Sequence, residues 1–125
     1  KPAINKRGRM EKIAEAVMDI TSVVVDGETT RICYEGNVGK YGRVFATHNF
    51  KSNDANRNSG NLSGHARTIM DDGSVLSATL QGIWRRDGGE IQLYSLDDAS
   101  NGDQNFIRAK VDLLNKKANV EVNAL

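Results

Sequence analysis

The chain has 125 residues, 38% of them hydrophobic and 26% charged, which suits one globular domain with its own core. Seventeen Lys and Arg against sixteen Asp and Glu leave a formal charge of +1, so no net field is available to hold a nucleic acid or an acidic membrane. A single cysteine, Cys33, forms no internal disulfide, and apolar runs such as Val23 to Val25 fall far short of a membrane span or a signal-peptide core; these features point to a reducing, cytoplasmic setting, with a processed secretory precursor left open.

The first dozen residues carry Lys1, Lys6, Arg7, Arg9 and Lys12 together with the sole proline, Pro2. They read as a flexible basic arm over residues 1–12, followed by one domain over 13–125; an arm that touches a phosphate or an acidic partner is the functional alternative. Met10, Ile13, Ala14 and Val17 follow the i, i+3, i+4, i+7 spacing of a two-turn helix. Ala14, Ala16, Met18 and Ile20 also alternate, which would suit an early first strand.

From Asp19 the period becomes two, and turn residues recur at regular intervals. Asp26-Gly27, Asp72-Gly73 and Asp87-Gly88-Gly89 each separate two runs of β-formers, and each accepts the positive φ of a tight hairpin. Further strands are predicted over Tyr41 to Phe50, Phe106 to Leu113 and Ala118 to Leu125, the last two joined by Asn115-Lys116-Lys117. Lys51 to Gly60 and Asp97 to Gln104 are predicted as polar loops. The result is an all-β domain of eight strands, each next to its sequence neighbour, closed into an antiparallel up-and-down barrel; an open sandwich is the alternative. Gly36, Gly39, Gly42, Gly64 and Gly82 fall inside strand patterns, where a small barrel needs sharp coiling.

No CxxC, HExxH, GxSxG or phosphate-loop pattern occurs, and no cofactor or metal site is expected. Asp97, Asp98 and Asp103 depart from the spacing that surrounds calcium and read as a loop satisfying its own backbone. His48 shares a strand face with Val44 and Ala46, and His65 shares one with Arg67 and Ile69; either imidazole could act as a base near neutral pH or serve polar satisfaction alone. With aromatics at 6%, Tyr34, Phe45, Trp84, Tyr94 and Phe106 stand out as candidates to line a ligand cavity or simply to fill the barrel. Ser77, Thr79, Gln81 and Arg85 form a polar row opposite Trp84. Pointing inward, that row would make a polar cavity; pointing outward, an ordinary wet surface. Cys33 reads as a buried structural thiol, or as a nucleophile without a recognisable partner.

The segment Ser59-Gly60-Asn61-Leu62-Ser63-Gly64-His65-Ala66-Arg67, its Asp-Gly hairpin, the strand ending Gly82-Ile83-Trp84-Arg85 and the closing strand Ala118 to Asn123 resemble the small barrels of the allene oxide cyclase and dirigent-protein superfamily. The likeness spans residues 30–125 and rests mainly on glycines and β-formers. It implies an eight-stranded barrel and proteins that steer ring closure or coupling of reactive apolar intermediates, often without a cofactor. The expectation is therefore a cofactor-independent isomerase, cyclase or lyase acting on a small apolar or aromatic ligand, with a non-catalytic carrier or a protein-interaction module as alternatives. Candidate catalytic residues are His48, His65, Tyr34, Arg67 and Tyr94, and candidate ligand contacts are Phe45, Trp84, Phe106 and Gln81. Partnership with nucleic acid or membrane is not expected, and a homodimer is compatible with the long loops.

Overall fold

A computed structural model describes residues 9–125. Eight strands follow in order: β1 (Glu11–Asp26), β2 (Thr29–Asn37), β3 (Arg43–Ser52), β4 (Ser59–Ile69), β5 (Val75–Asp87), β6 (Glu90–Ala99), β7 (Gln104–Asp112) and β8 (Lys117–Ala124). Each pairs antiparallel with the next, and β1 pairs with β8, so the sheet closes into an up-and-down barrel with no free edge.

The two-turn helix read from Met10, Ile13, Ala14 and Val17 does not form. The competing alternation holds: Ala14, Ala16, Met18 and Ile20 turn toward the core from β1, whose Glu11 and Lys12 pair with Ala124 and Asn123 of β8. Eight inter-strand partners for this segment outweigh the few hydrogen bonds of an isolated two-turn helix. Residues 1–8 of the expected basic arm lie outside the described residues.

All three Asp-Gly hairpins form, with Gly27, Gly73 and Gly88 at positive φ. Both polar loops are shorter than expected. β3 runs to Ser52 and β4 starts at Ser59, while β6 continues to Ala99 and β7 starts at Gln104, so Asp97 and Asp98 are strand residues. Gly39 and Gly42 lie not in a strand but around a 3-10 turn, Gly39–Tyr41, both with positive φ. That turn swings Tyr41 back over one end of the barrel, called here the upper end.

Strand register sorts the interior into tilted rows. Tyr34, Ala46, Ala66, Ala78 and Ala99 are partners across five successive strands, β2 to β6. The adjacent row on one side runs Ile32, His48, Gly64, Leu80, Asp97 and Asn105; on the other it holds Val44, Thr68 and Leu76. Farther down stand Phe50, Leu62, Trp84 and Leu93. They fill the lower half, with Phe50 and Trp84 in an edge contact at 5.8 Å between ring centroids and Trp84 Nε1 donating to the Asn61 carbonyl at 2.9 Å.

Gly64 is required by closeness of the backbone. A Cβ there would stand 1.9 Å from the carbonyl oxygen of Thr47 on the neighbouring strand, a position no rotamer relieves. Gly64→Ala is therefore expected to cost more than about 3 kcal/mol in urea unfolding, whereas Ser63→Ala, exposed one residue away, should change stability by less than about 0.5 kcal/mol.

Candidate functional site

Four neighbouring alanines contribute little volume where a barrel of this size usually packs larger side chains, and a cavity of about 110 Å³ opens in the upper half. Its walls are mostly apolar, with Val44, Ala46, Ala66, Leu76, Ala78 and Leu80 among them. Residues at its upper rim, Val44, Leu76 and Ala99, are half-buried, while the floor is fully packed.

Polar groups reach this cavity from six strands, β2 to β7, and the 3-10 turn. Tyr34 and His48 sit at its base and share a hydrogen bond of 3.0 Å between Oη and Nδ1. Burial lowers the His48 pKa to about 4, so its ring is neutral at pH 7, and burial pushes the Tyr34 phenol far above its ordinary value. His48 also lies edge-on to Phe50 at 5.6 Å, which ties this pair to the packed lower half.

Asp97 and Ser95 come from alternate positions of β6 and line the same cavity, the Ser95 hydroxyl donating to Asp97 Oδ1 at 2.9 Å. Among the described residues no Lys or Arg lines the cavity. Burial therefore dominates, and it pushes the Asp97 carboxyl up to about 7, the Ser95 hydrogen bond opposing it only in part. Asp103, outside the rim, shows the contrast. Hydrogen bonds from Tyr41 first and then Asn101, with the charge of Lys40, hold its carboxyl below the usual carboxylate range.

The upper rim is fastened by a chain of hydrogen bonds. Asn105 Nδ2 donates to Tyr41 Oη at 2.9 Å, and Tyr41 Oη donates to Asp103 Oδ2 at 2.8 Å. Thr68, 8% exposed on β4, faces the cavity, and its Oγ1 is the one buried side-chain polar atom among the described residues with no hydrogen-bond partner.

Of the residues singled out from sequence, His48 and Tyr34 meet inside the barrel. Trp84 also points inward, but it belongs to the packed lower half and does not line the cavity. The others face outward, because strand parity puts them on the opposite side of the sheet. His65, Arg67 and Phe45 border a shallow outer groove with Cys33 and Thr47. Tyr94 and Phe106 stack on the outer surface at 6.1 Å, with Arg108 over Phe106. Gln81, Thr79 and Arg85 are exposed, so three members of the polar row stand on the outer surface, while Ser77 is half-buried and lines the cavity. Cys33 also faces outward, half-buried, and hydrogen bonds with Ser22 and then Thr47 hold its thiol below the ordinary value. Among the described residues no three His, Cys, Asp or Glu side chains gather as a metal-ligand set, and no helix is long and apolar enough to cross a membrane.

Asp97, Ser95, Thr68, Asn105 and Tyr41 escaped the sequence reading. For Asp97 and Ser95 a signal existed: they continue the alternation of Ile91 and Leu93. Family models, curated proteins and solved structures give no match to this chain.

Asp97 and His48 make opposite demands on stability. The Asp97 carboxyl lies at about 7 in the fold against 3.8 ordinarily, so its protonated form favours folding and this contribution is lost as pH rises from about 4 to 7. His48 lies at about 4 against 6.5, so the neutral ring favours folding and stability is lost as pH falls through that range. Between about pH 4 and 6.5 the slopes oppose each other, and above it only that of Asp97 remains. Urea unfolding of Asp97→Asn should thus gain on the wild type by up to about 4 kcal/mol between pH 4 and 8. A constant difference across that range would mean that the Asp97 carboxyl is hydrated.

Proposed function

We propose that the barrel is a cofactor-independent enzyme that encloses a small, largely apolar molecule in its upper half and moves a proton within it, in an isomerisation, cyclisation or elimination. The observation that carries this reading is Asp97, a carboxyl group on the wall of an apolar cavity in whose lining, among the described residues, no Lys or Arg neutralises it. A titration point near neutral pH is what a group needs if it is both to accept and to return a proton. Structural economy would favour an apolar side chain there, since a buried carboxyl group lowers stability over the neutral range.

The volume limits the substrate. An apolar cavity of ~150 Å³ admits benzene; the 110 Å³ found here suits a five-membered ring or a short branched chain, with larger molecules extending past the rim. Apolar walls supply desolvation, and the packed floor with the neutral Tyr34–His48 pair supplies a fixed shape. The resemblance of the Gly-rich β4–β5 core to allene oxide cyclase and dirigent barrels supports the same class of reaction.

A thermal-shift series with small cyclic hydrocarbons, alcohols and ketones tests the site. Wild type should rise in Tm with ligand concentration, because a ligand that binds only the folded state stabilises it by mass action. Ala78→Leu should fold, since the cavity receives the added carbons, and should lose the shift. Ligands that bind and are always recovered unchanged would make the barrel a carrier. A Tm unmoved by every compound would remove the interior from consideration.

A further inference from the structure

We propose that the substrate of this cavity is a small ketone or aldehyde, and that Thr68 is a second catalytic residue whose hydroxyl donates to the carbonyl oxygen while Asp97 handles the proton on the adjacent carbon. This rests on reading the cavity as a proton-transfer site.

Thr68 is more than nine-tenths buried, faces the cavity, and has no hydrogen-bond partner for Oγ1 among the described residues. Buried hydroxyls almost always have a partner, so a solitary one that faces a cavity points to a group supplied by an occupant. Its cross-strand partners, Val44 and Leu76, and the neighbouring alanine row are apolar, so a water molecule there would find few other groups to hold it. Other polar groups of the lining are engaged or less deeply buried, the Ser77 hydroxyl on β5 being only half-buried. Tyr34 and His48 Nδ1 bond each other, Asn105 Nδ2 is given to Tyr41, and the Ser95 hydroxyl is given to Asp97. Thr68 is thus the fully buried donor left uncommitted, and Asp97 is the acid or base, reaching the cavity from β4 and β6, the two strands that flank β5.

The charge of the lining selects among substrates. A carboxylate would meet Asp97 in a cavity lined, among the described residues, by no Lys or Arg, and an ammonium would bind Asp97 as an ion pair and remove it as a base. A neutral carbonyl compound avoids both outcomes and uses both groups. Asp97 carboxylate takes the proton from the carbon next to the carbonyl. The C–H electron pair becomes the new C=C bond, and the π pair of the C=O moves to oxygen, where Thr68 stabilises it. Protonated Asp97 then returns the proton to the same carbon, or to the far end of the enolate where a neighbouring double bond extends it, and the carbonyl re-forms. No electron acceptor or co-reactant is consumed.

Cyclopentanone is a suitable probe, being a five-membered ring with one carbonyl. Binding is followed by saturation-transfer NMR, and loss of the protons beside the carbonyl is followed by proton NMR in deuterium oxide. Wild type should bind the ketone and exchange those protons faster than buffer, and Asp97→Asn should return the rate to that of buffer with the ketone still bound. Thr68→Val should bind it as well and exchange it ~10²–10³-fold more slowly than wild type, the loss typical of one missing donor to a developing oxyanion, and Thr68→Ser should restore most of the rate. Bound ketone with no exchange beyond that of Asp97→Asn would overturn the carbonyl inference and leave the cavity reading standing. Exchange by Thr68→Val at the wild-type rate would overturn the role of Thr68. Failure of cyclopentanone and of every other compound in the thermal-shift series to bind would overturn the cavity reading itself, and this inference with it.

Discussion

Closure of eight strands into one barrel fixes which side chains share the interior, and from that constraint the cavity follows. Once β1 pairs with β8, every strand has two partners and its register cannot slip without turning its apolar face outward. The observed register brings Ala46, Ala66, Ala78 and Ala99 side by side on successive strands. One alanine in a core is absorbed by larger neighbours; four in a lateral row leave space that no neighbour reaches. Below them the same register pairs Phe50 with Leu62 and, in a further row, Trp84 with Leu93, and the interior closes. The barrel is thus divided into a packed lower half that supplies the stability and a hollow upper half that forgoes some of it.

That division also sets the electrostatics. Asp97 and Asp103 are six residues apart at the same end of the barrel, yet their carboxyl groups are displaced in opposite directions. Asp103 lies where Tyr41 and Asn101 can donate to it and Lys40 is within 3.4 Å. Asp97 is turned inward by strand parity and meets alkyl groups and one hydroxyl. The difference comes from position alone. Tyr41 joins the two environments, because its ring covers the rim while its hydroxyl donates outward to Asp103 and accepts inward from Asn105.

The architecture was legible in the sequence because the signals that carry it are local. Three Asp-Gly turns and period-two alternation define hairpins, and hairpins in series define a meander that closes. The helix expected near Met10 failed for a non-local reason, since β8, more than a hundred residues later, supplies the partner strand that settles the conformation. The site was less legible. His48 and Tyr34 were found because aromatic and imidazole groups attract notice, whereas His65, Arg67, Tyr94, Phe45, Phe106 and Gln81 have suitable chemistry on the wrong side of the sheet. Asp97 was missed because DDASNGDQ has the composition of a loop. Composition favoured a turn, and the alternation from Ile91 through Leu93 and Ser95 favoured a strand; inter-strand pairing with Leu80 and Asn105 decided for the strand.

A cavity retains its shape only if the groups around it cannot collapse into it, and the lower half provides that resistance. Tyr34, His48, Phe50 and Trp84 form a continuous series of edge contacts, at 5.1, 5.6 and 5.8 Å, from the cavity base to the packed floor. Each ring limits the rotation of the next, and the Trp84 hydrogen bond to Asn61 anchors the far end of the series to the backbone. The strands bearing the alanines cannot close the gap by moving inward, since every one is hydrogen-bonded on both sides. Tight approach at Gly64 and Gly82, where an added Cβ would meet a neighbouring carbonyl oxygen at 1.9 Å, leaves the sheet no slack there. The empty volume is therefore a consequence of the same pairing that makes the barrel stable, and it persists because relieving it would require breaking the ladder that encloses it.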